Sequence, residues 1–312
     1  MQKKEAQPAL LQKYLHNIRS NPGLYIMIIL PLVYLIIFKY IPIYGVQIAF
    51  RDYSPARSIT ASPWVGLKYV KKFISYYSFW EIMRNTLVLN LYSLAVFPIP
   101  IIFALMLNYM RSAAFKKTIQ VVSYIPHFIS TVVMVGIIMQ FLNKQTGVIN
   151  QVIQLFGGNP IEFMSKPGYF SHIYVWSGIW QGIGYNSIIY ISALSGVSPE
   201  LHEAAIVDGA GILKRIWHVD LPGILPTVAI TFIMGCGSIF NVGYEKIYLM
   251  QNNLNLKVSE VISTYVYKQG IASTMPQYSM GAAIDLFVSL LNIVMLLLVN
   301  RVTKALTESS LW

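Results

Sequence analysis

Six apolar runs constrain this 312-residue chain more than any other feature, because each is close to the ~20 residues that a helix needs to cross a bilayer. The runs are 24–43, 86–107, 119–142, 170–194, 227–250 and 280–300. The chain is 55% hydrophobic and only 11% charged, whereas soluble domains are roughly one quarter charged. We therefore predict an all-α, polytopic membrane protein with six transmembrane helices.

Prolines interrupt the first three of these runs. They are Pro31 in the first run, Pro98 and Pro100 in the second, and Pro126 in the third. A proline frees a backbone carbonyl group, which is tolerated inside a membrane where neighbouring helices or cavity water satisfy it. The positions predict bent helices around a central space.

The polar segments between the runs indicate what lies on each side of the membrane. Residues 46–84 interleave aromatic residues with lysines, which favours a segment at the external interface, with packing against an external partner as the alternative. Turn-forming residues predict external loops over 143–168 and 251–279, the second with a short helix within 258–268. The positive-inside rule favours cytoplasmic N and C termini only through charges close to the membrane ends. Those charges are Lys3, Lys4, Lys13 and Arg19 before the first run and Arg111, Lys116 and Lys117 after the second.

The stretch 198–226 is the most distinctive segment outside the apolar runs. Ser198 suits an N-cap, and glycine can take the left-handed conformation of a residue just past a helix end. The pattern predicts a helix that stops at Gly209 to Gly211 and a second short helix over 212–218. The prolines that follow predict a turn into the fifth apolar run.

Small and apolar residues on the first of these helices indicate contact with another protein. Ala204 and Ala205 allow close approach, while Leu201, Ile206 and Val207 supply apolar contact for a helix that fits a groove. The alternative is an amphipathic loop that touches only lipid headgroups. A long, gapped motif with fixed spacing favours the protein contact.

The spacing of this stretch resembles the cytoplasmic signature of binding-protein-dependent ABC importer permeases. That signature reads E-A-A, three residues, G, nine residues, I, one residue and L-P. The matching residues are Glu203, Ala204, Ala205, Gly209, Leu221 and Pro222, with Val219 in place of isoleucine, and Asp208 and Ala210 complete the D-G-A of the sugar-permease version. The resemblance implies a type I ABC importer permease fold in which these residues couple the chain to a cytoplasmic ATPase.

Other segments resemble the lipoprotein-associated and polysaccharide permeases of this group. They are residues 42–50, 84–87, 261–267 and 310–312. This resemblance implies a multi-pass subunit of the bacterial cytoplasmic membrane that imports a carbohydrate, specifically an oligosaccharide. The implied partners are a second permease subunit in a heterodimer, two ATPase subunits and an external solute-binding lipoprotein. ATP and Mg²⁺ would be bound by the ATPase subunits, and this chain would bind no cofactor.

The apolar runs and the resemblance together divide the chain into three parts. Residues 1–80 would form a cytoplasmic tail, the first transmembrane helix and the external interfacial segment. Residues 81–301 would form the permease core, with the coupling loop at 198–226. Residues 302–312 would form a cytoplasmic tail.

The sequence argues against catalysis and metal binding by this chain. It has no phosphate-binding G-x-x-x-x-G-K-[ST] motif, no H-E-x-x-H and no G-x-S-x-G. Its five histidines lack ligand spacing, and the single cysteine excludes a disulfide framework. The net charge of +11 is read as attraction to anionic headgroups rather than to nucleic acid.

Polar and aromatic residues inside the runs are candidates for a sugar pathway, because burying them unpaired in lipid is expensive. The candidates are Asn90, Tyr92, Trp176, Trp180, Gln181, Tyr185, Asn186, Asn241, Tyr244 and Glu245. Aromatic rings stack on the C–H faces of sugars, and amides exchange hydrogen bonds with sugar hydroxyl groups. The alternative is that rings fill helix contacts and interfacial belts while amides bond neighbouring helices.

Other functions remain open from the residues alone. An amino-acid or peptide ABC permease would differ only in substrate. A secondary carrier independent of ATP is disfavoured, because Glu245 and Lys246 lie near a span end without a companion and, apart from Asp285, the runs contain no other carboxylate for a proton relay. A membrane scaffold or sensor that docks a soluble protein is the remaining class.

Overall fold

The computed structural model describes residues 17–307 and 310–311, and within these ranges the chain is helical, without a β-strand. Lys3, Lys4, Lys13 and Trp312, which carried part of the predicted orientation and resemblance, lie outside the described residues. The chain divides into two compact units between Lys68 and Tyr69.

The first unit contains one long helix, α1, over Pro22–Phe50. It includes the first predicted run, and its residues 36–40 are wound as a π-helix and 44–50 as a 3₁₀-helix. After it the chain folds back, because the Arg51 guanidinium donates to the carbonyls of Ser62 (2.8 Å) and Thr60 (3.1 Å) and the ring of Trp64 stacks on Phe50.

The second unit begins at Tyr69 and contains all but the first residue of α2, Lys68–Ile74, followed by α3, Phe79–Ala95, and α4, Pro98–Asn108. Together α3 and α4 form a continuous candidate span, Phe79–Asn108, which begins earlier than the predicted run at residue 86. The buried polar side chain of Asn85 lies within this span. It is hydrogen-bonded there, because its side-chain nitrogen donates to the carbonyls of Lys257 (2.9 Å) and Glu260 (3.0 Å).

Some aromatic residues of the predicted interfacial segment, 46–84, are buried inside the protein. Tyr69, Phe73 and Phe79 are buried, and the ring of Phe73 packs against Phe79, Tyr265 and Phe287. The expectation of lipid or partner contact therefore fails for these three residues, because the second unit supplies their apolar environment. Other side chains of the segment are exposed, namely Trp64, Tyr77 and Trp80.

The third predicted run is not one bent helix. It forms α5, Ala113–Tyr124, extended by a 3₁₀ turn to Phe128, and then α6, Thr131–Phe141, at an angle of 104°. Pro126 lies in the 3₁₀ turn, and Ser130 starts the new helix by accepting a hydrogen bond from the Val133 amide (3.4 Å). The proline and the N-cap together end one helix and begin the next.

The external loop predicted at 143–168 contains α7, Val148–Leu155, and leads into α8, Pro167–Ser195. At 29 residues α8 is about 44 Å long. It packs against α3, α4, α5 and the later helix α10, Ile212–Cys236. Gly184 permits the close approach to α5, because a side chain there would collide with the backbone carbonyl of Ser123.

Two clusters of buried apolar residues lie along α8. One contains Phe170 with Leu89, Val135, Ile247 and Met250, and the other contains Tyr190 and Leu194 with Ile101, Ala104 and Ile224. Since α8 contributes to both clusters, it connects the packing of the unit along its length.

The predicted bounds of the fifth run, 227–250, are wrong at both ends. After α9, Pro199–Val207, the chain continues as α10, which passes through Pro222 and Pro226 and stops at Cys236. The predicted short helix at 212–218 is thus the first part of α10, and no turn follows it. The Leu221 amide bonds to the carbonyl of Ile216, five residues back, and this wider π turn leaves room for the ring of Pro222.

The remaining helices are short, except the last. They are α11, Tyr244–Met250; α12, Leu256–Ser259; α13, Ile262–Gly270; and α14, Tyr278–Thr307, which contains the sixth predicted run. By length and composition, four helices among the described residues can cross a membrane, or five if the pair α5 and α6 counts as one broken span. They are Pro22–Phe50, Phe79–Asn108, Ile212–Cys236 and Tyr278–Ala305.

Candidate functional site

The helix α9 has well-defined ends. Ser198 Oγ accepts a hydrogen bond from the Glu200 amide (3.3 Å), as an N-cap does. Gly209 has a φ of +75°, its amide bonds to the carbonyl of Ile206 (3.0 Å), and the Ala210 amide bonds to the carbonyl of Ala205 (2.8 Å). This pair of hydrogen bonds is the Schellman motif that ends many helices. The prediction that the helix stops at Gly209 is therefore confirmed.

The outer surface of α9 is apolar and acidic. Val207 is 87% exposed, Leu201 and Ile206 are each 55% exposed, and Glu203 and Ala204 are also exposed. Among the other signature residues Asp208 and Gly209 are exposed, while Ala205 and Ala210 are half-buried. Exposed apolar side chains next to a fixed helix end form a surface suited to a groove on another protein.

The last two signature residues lie in α10. Leu221 is half-buried against the second apolar cluster, and Pro222 is exposed. Directly before them stands Asp220, which is completely buried and accepts a 2.6 Å hydrogen bond from the hydroxyl of Tyr109. Burial and this bond raise the pKa of Tyr109 to about 12. Sequence reasoning missed both residues, although a carboxylate directly before a Leu-Pro pair was the available signal.

A cavity of about 550 Å³ lies between α3, α4, α8 and α10. It brings together three of the predicted pathway residues, Asn90, Tyr185 and Asn186. It also contains hydroxyl groups that are not among the predicted pathway residues, those of Ser93, Tyr190, Thr231 and Ser238. Amides, hydroxyls and rings supply its polar and aromatic surface, and no charged side chain lines it among the described residues.

Several polar groups of the cavity wall already form hydrogen bonds within the protein, and two of these bonds join different elements. The Asn90 side-chain nitrogen donates to the carbonyl of Ile239 (2.7 Å), just beyond the end of α10. The Tyr190 hydroxyl lies 3.0 Å from the Thr231 hydroxyl, which joins α8 to α10. Asn186 and Tyr185 also line the cavity, and both are exposed.

Other predicted pathway residues lie outside this cavity. Trp176 and Trp180 line a separate, apolar groove of about 340 Å³ next to α6. The Trp176 indole nitrogen donates to the Tyr92 hydroxyl (2.9 Å), which also bonds to His172 Nδ1 (2.8 Å). The Gln181 side-chain nitrogen donates to the carbonyl of Ile129 (3.0 Å). These side chains therefore serve contacts between protein elements in this structure.

The three predicted residues nearest the expected end of the fifth span are separated from α10. Asn241 lies in the turn before α11, Tyr244 stacks on Tyr267 at 4.6 Å, and Glu245 is exposed. Lys246 instead turns inward and donates to the carbonyl of Tyr174 (3.0 Å). Burial lowers the pKa of the Lys246 amine to about 8.

No group of three or more His, Cys, Asp or Glu side chains with the geometry of a metal site occurs in the described part of the chain. Cys236 is buried at the end of α10.

The profile of the family described as binding-protein-dependent transport system inner membrane component matches residues 96–308. The chain is 40% identical to Protein LplB of Bacillus subtilis (strain 168), over 95% of this chain and 92% of that protein. It is 38% identical to the polygalacturonan/rhamnogalacturonan transport system permease protein YteP of the same organism, over 99% of this chain and 95% of that one. A chain of a bacterial ABC transporter involved in the import of the acidic polysaccharide alginate superposes with a TM-score of 0.85, at 33% identity, covering 95% of this chain and 99% of that one.

Proposed function

The chain belongs to the family of binding-protein-dependent transport system inner membrane components, and from that premise we propose that it imports an oligosaccharide, as one of two different permease subunits of an ABC transporter. As a member of that family it is a transport subunit of the cytoplasmic membrane and not an enzyme. ATP hydrolysis belongs to separate ATPase subunits.

The observation that carries the proposal is the form of the signature segment. Its E-A-A residues lie on a capped surface helix, α9, that exposes apolar side chains and leads directly into a candidate membrane span. We assign Glu203, Ala204, Ala205, Asp208, Gly209, Ala210, Leu221 and Pro222 to coupling with an ATPase. In this proposal α9 and both termini lie on the cytoplasmic side.

Six membrane spans in a type I permease fold are part of the proposal. The broken pair α5 and α6 would be the third span, and α8 would be the fourth. Other helices of the protein pack against α8, and its Gly184 and Ser187 are buried and its Gln181 half-buried, so these groups need not face lipid. The modest apolarity of α8 is therefore compatible with its crossing the membrane.

The cavity supports a carbohydrate as the substrate. Its volume of about 550 Å³ is within the ~300–1,000 Å³ range of small-ligand sites. Asn90, Tyr185 and Asn186 would supply amide and ring contacts to sugar hydroxyl groups and C–H faces. The names of relatives agree, since they include arabinooligosaccharide and galactooligosaccharide permeases of Bacillus subtilis (strain 168).

The proposed partners are a second permease subunit, two ATPase subunits that bind ATP and Mg²⁺, and an external solute-binding lipoprotein. A solved structure of the bacterial alginate ABC transporter contains an alginate pentasaccharide-bound periplasmic protein, and its chain matches this one with a TM-score of 0.85 at 32% identity. The bilayer is the remaining partner, and no nucleic acid is involved.

Reconstitution of the complete complex in proteoliposomes tests this function. Radiolabelled oligosaccharide is presented with the binding protein on one side, and ATP and Mg²⁺ on the ATPase side. We expect accumulation that requires ATP and binding protein, with neutral and uronate oligosaccharides compared in parallel. Uptake by this chain alone without ATP would instead identify a secondary carrier, uptake of amino acids or peptides would change the substrate class, and no uptake of any solute would favour a scaffold.

A further inference from the structure

A buried carboxylate occupies the junction between the proposed coupling helix and the membrane helices. Asp220 has 0% exposed surface and lies within the π-helical segment of α10, directly before Leu221. An ionised carboxylate without partners in such a place is costly, so its contacts decide what it does.

One contact of Asp220 leads to the second candidate span. Its Oδ2 accepts the 2.6 Å hydrogen bond from Tyr109, the residue that follows α4. The guanidinium of Arg215, earlier on α10, lies 5.4 Å from the centre of the Tyr109 ring. The end of α4 and the start of α10 are therefore held together around one tyrosine.

The other carboxylate oxygen faces α9. His202 Nε2 lies 3.4 Å from Asp220 Oδ1, and Oδ1 has no hydrogen-bond donor among the described residues. A charge-assisted hydrogen bond between nitrogen and carboxylate oxygen is ~2.7–2.9 Å long. The two atoms are thus close without being hydrogen-bonded, and a small shift of His202 that aims its N–H at Oδ1 would pair this buried oxygen.

We propose that Asp220 is a positioning residue that transmits displacement of α9 to α4 and α10, through His202 on one side and Tyr109 on the other. The proposal rests on the import function, since it assigns the mechanical link for that function. When an ATPase moves α9 toward α10, His202 can form a hydrogen bond to Oδ1, and once formed this bond makes movement of α9 independent of α10 unfavourable. Asp220 does not line the 550 Å³ cavity, so the proposed role is positioning and not substrate binding.

The test measures ATP hydrolysed per oligosaccharide imported by the reconstituted complete complex. Asp220→Asn and Tyr109→Phe remove a charge or a hydroxyl with little change in volume. We expect each to raise this ratio by about fivefold or more, the lower end of typical coupling effects. His202→Phe should do the same, whereas His202→Gln keeps a side-chain N–H donor and should retain most of the coupling.

One control variant and two further measurements separate coupling from structure and docking. Asp52→Asn removes a carboxylate that pairs with Lys68 at 3.2 Å on the first unit and should leave the ratio unchanged. Co-purification of the ATPase subunits and the thermal midpoint of the complex report assembly and folding. Unchanged ratios in both Asp220→Asn and Tyr109→Phe would overturn the proposal, as would loss of ATPase co-purification that accounts for the whole effect. Absence of oligosaccharide uptake by the wild-type complex would instead overturn the proposed function.

Discussion

The side-chain nitrogen of Gln181 donates a 3.0 Å hydrogen bond to the carbonyl of Ile129, where the chain turns by 104° between α5 and α6. One turn further along α8, the ring of Tyr185 stacks on His127 at 3.7 Å, on the α5 side of the same break. Tyr185 also lines the 550 Å³ cavity. The break and the cavity wall are thus held by the same helix.

Gln181→Leu is predicted to lower maximal uptake without weakening the apparent affinity for sugar. The substitution keeps a similar volume but leaves the Ile129 carbonyl without its donor, at a cost of about 1 kcal/mol or more. The measurement is the dependence of uptake on sugar concentration in proteoliposomes. Asn186→Ala is the comparison, because Asn186 lines the cavity and its loss should raise the apparent KM. A raised KM for Gln181→Leu would show that the amide contacts substrate instead.

Gly209→Ala is predicted to reduce uptake, while Gly211→Ala is not. Both glycines have open space where a Cβ would lie, but only Gly209 has positive φ, at +75°. An alanine in that conformation costs about 1–2 kcal/mol and disfavours the Schellman motif that ends α9. ATP-driven uptake and ATPase co-purification check the pair. Equal activity of the two variants would show that the end of α9 does not need its left-handed residue.

The two ends of the signature stretch show what the sequence could and could not predict. The cap at Gly209 was predictable because it depends on local backbone chemistry, which glycine and the N-cap Ser198 determine. The course of α10 was not, because Pro222 and Pro226 normally indicate a turn and the π segment that accommodates Pro222 has no sequence pattern of its own. The role of Gln181 was also not predictable, since its partner is a backbone carbonyl 52 residues away.

Gly184→Ala is predicted to destabilise the folded chain, with Gly178→Ala as the matched control on the same helix. A Cβ at Gly184 would collide with the Ser123 carbonyl, which belongs to backbone and cannot rotate away. A Cβ at Gly178 would meet only Lys246 Nζ at 3.6 Å, an ordinary contact. Overpacking of this kind costs about 1–3 kcal/mol. The thermal midpoint in detergent should fall for the first variant alone, and equal midpoints would mean that α5 and α8 separate without cost.

Lys246→Met is predicted to change how stability depends on pH. Burial lowers the pKa of Lys246 to about 8 in the folded protein, from an ordinary value of 10.5. Between these two values the unfolded chain binds a proton that the folded chain does not, so this residue makes stability rise with pH from about 8 to about 10.5. Below pH 8 both states are protonated and the burial penalty is fully present. The thermal midpoint of Lys246→Met should therefore exceed that of the wild type by most at pH 7. This difference should shrink as the pH approaches 10. Lys144→Met, at an exposed position, controls for loss of a positive charge. A pH-independent difference between Lys246→Met and the wild type would mean that the amine titrates alike in the folded and unfolded chains.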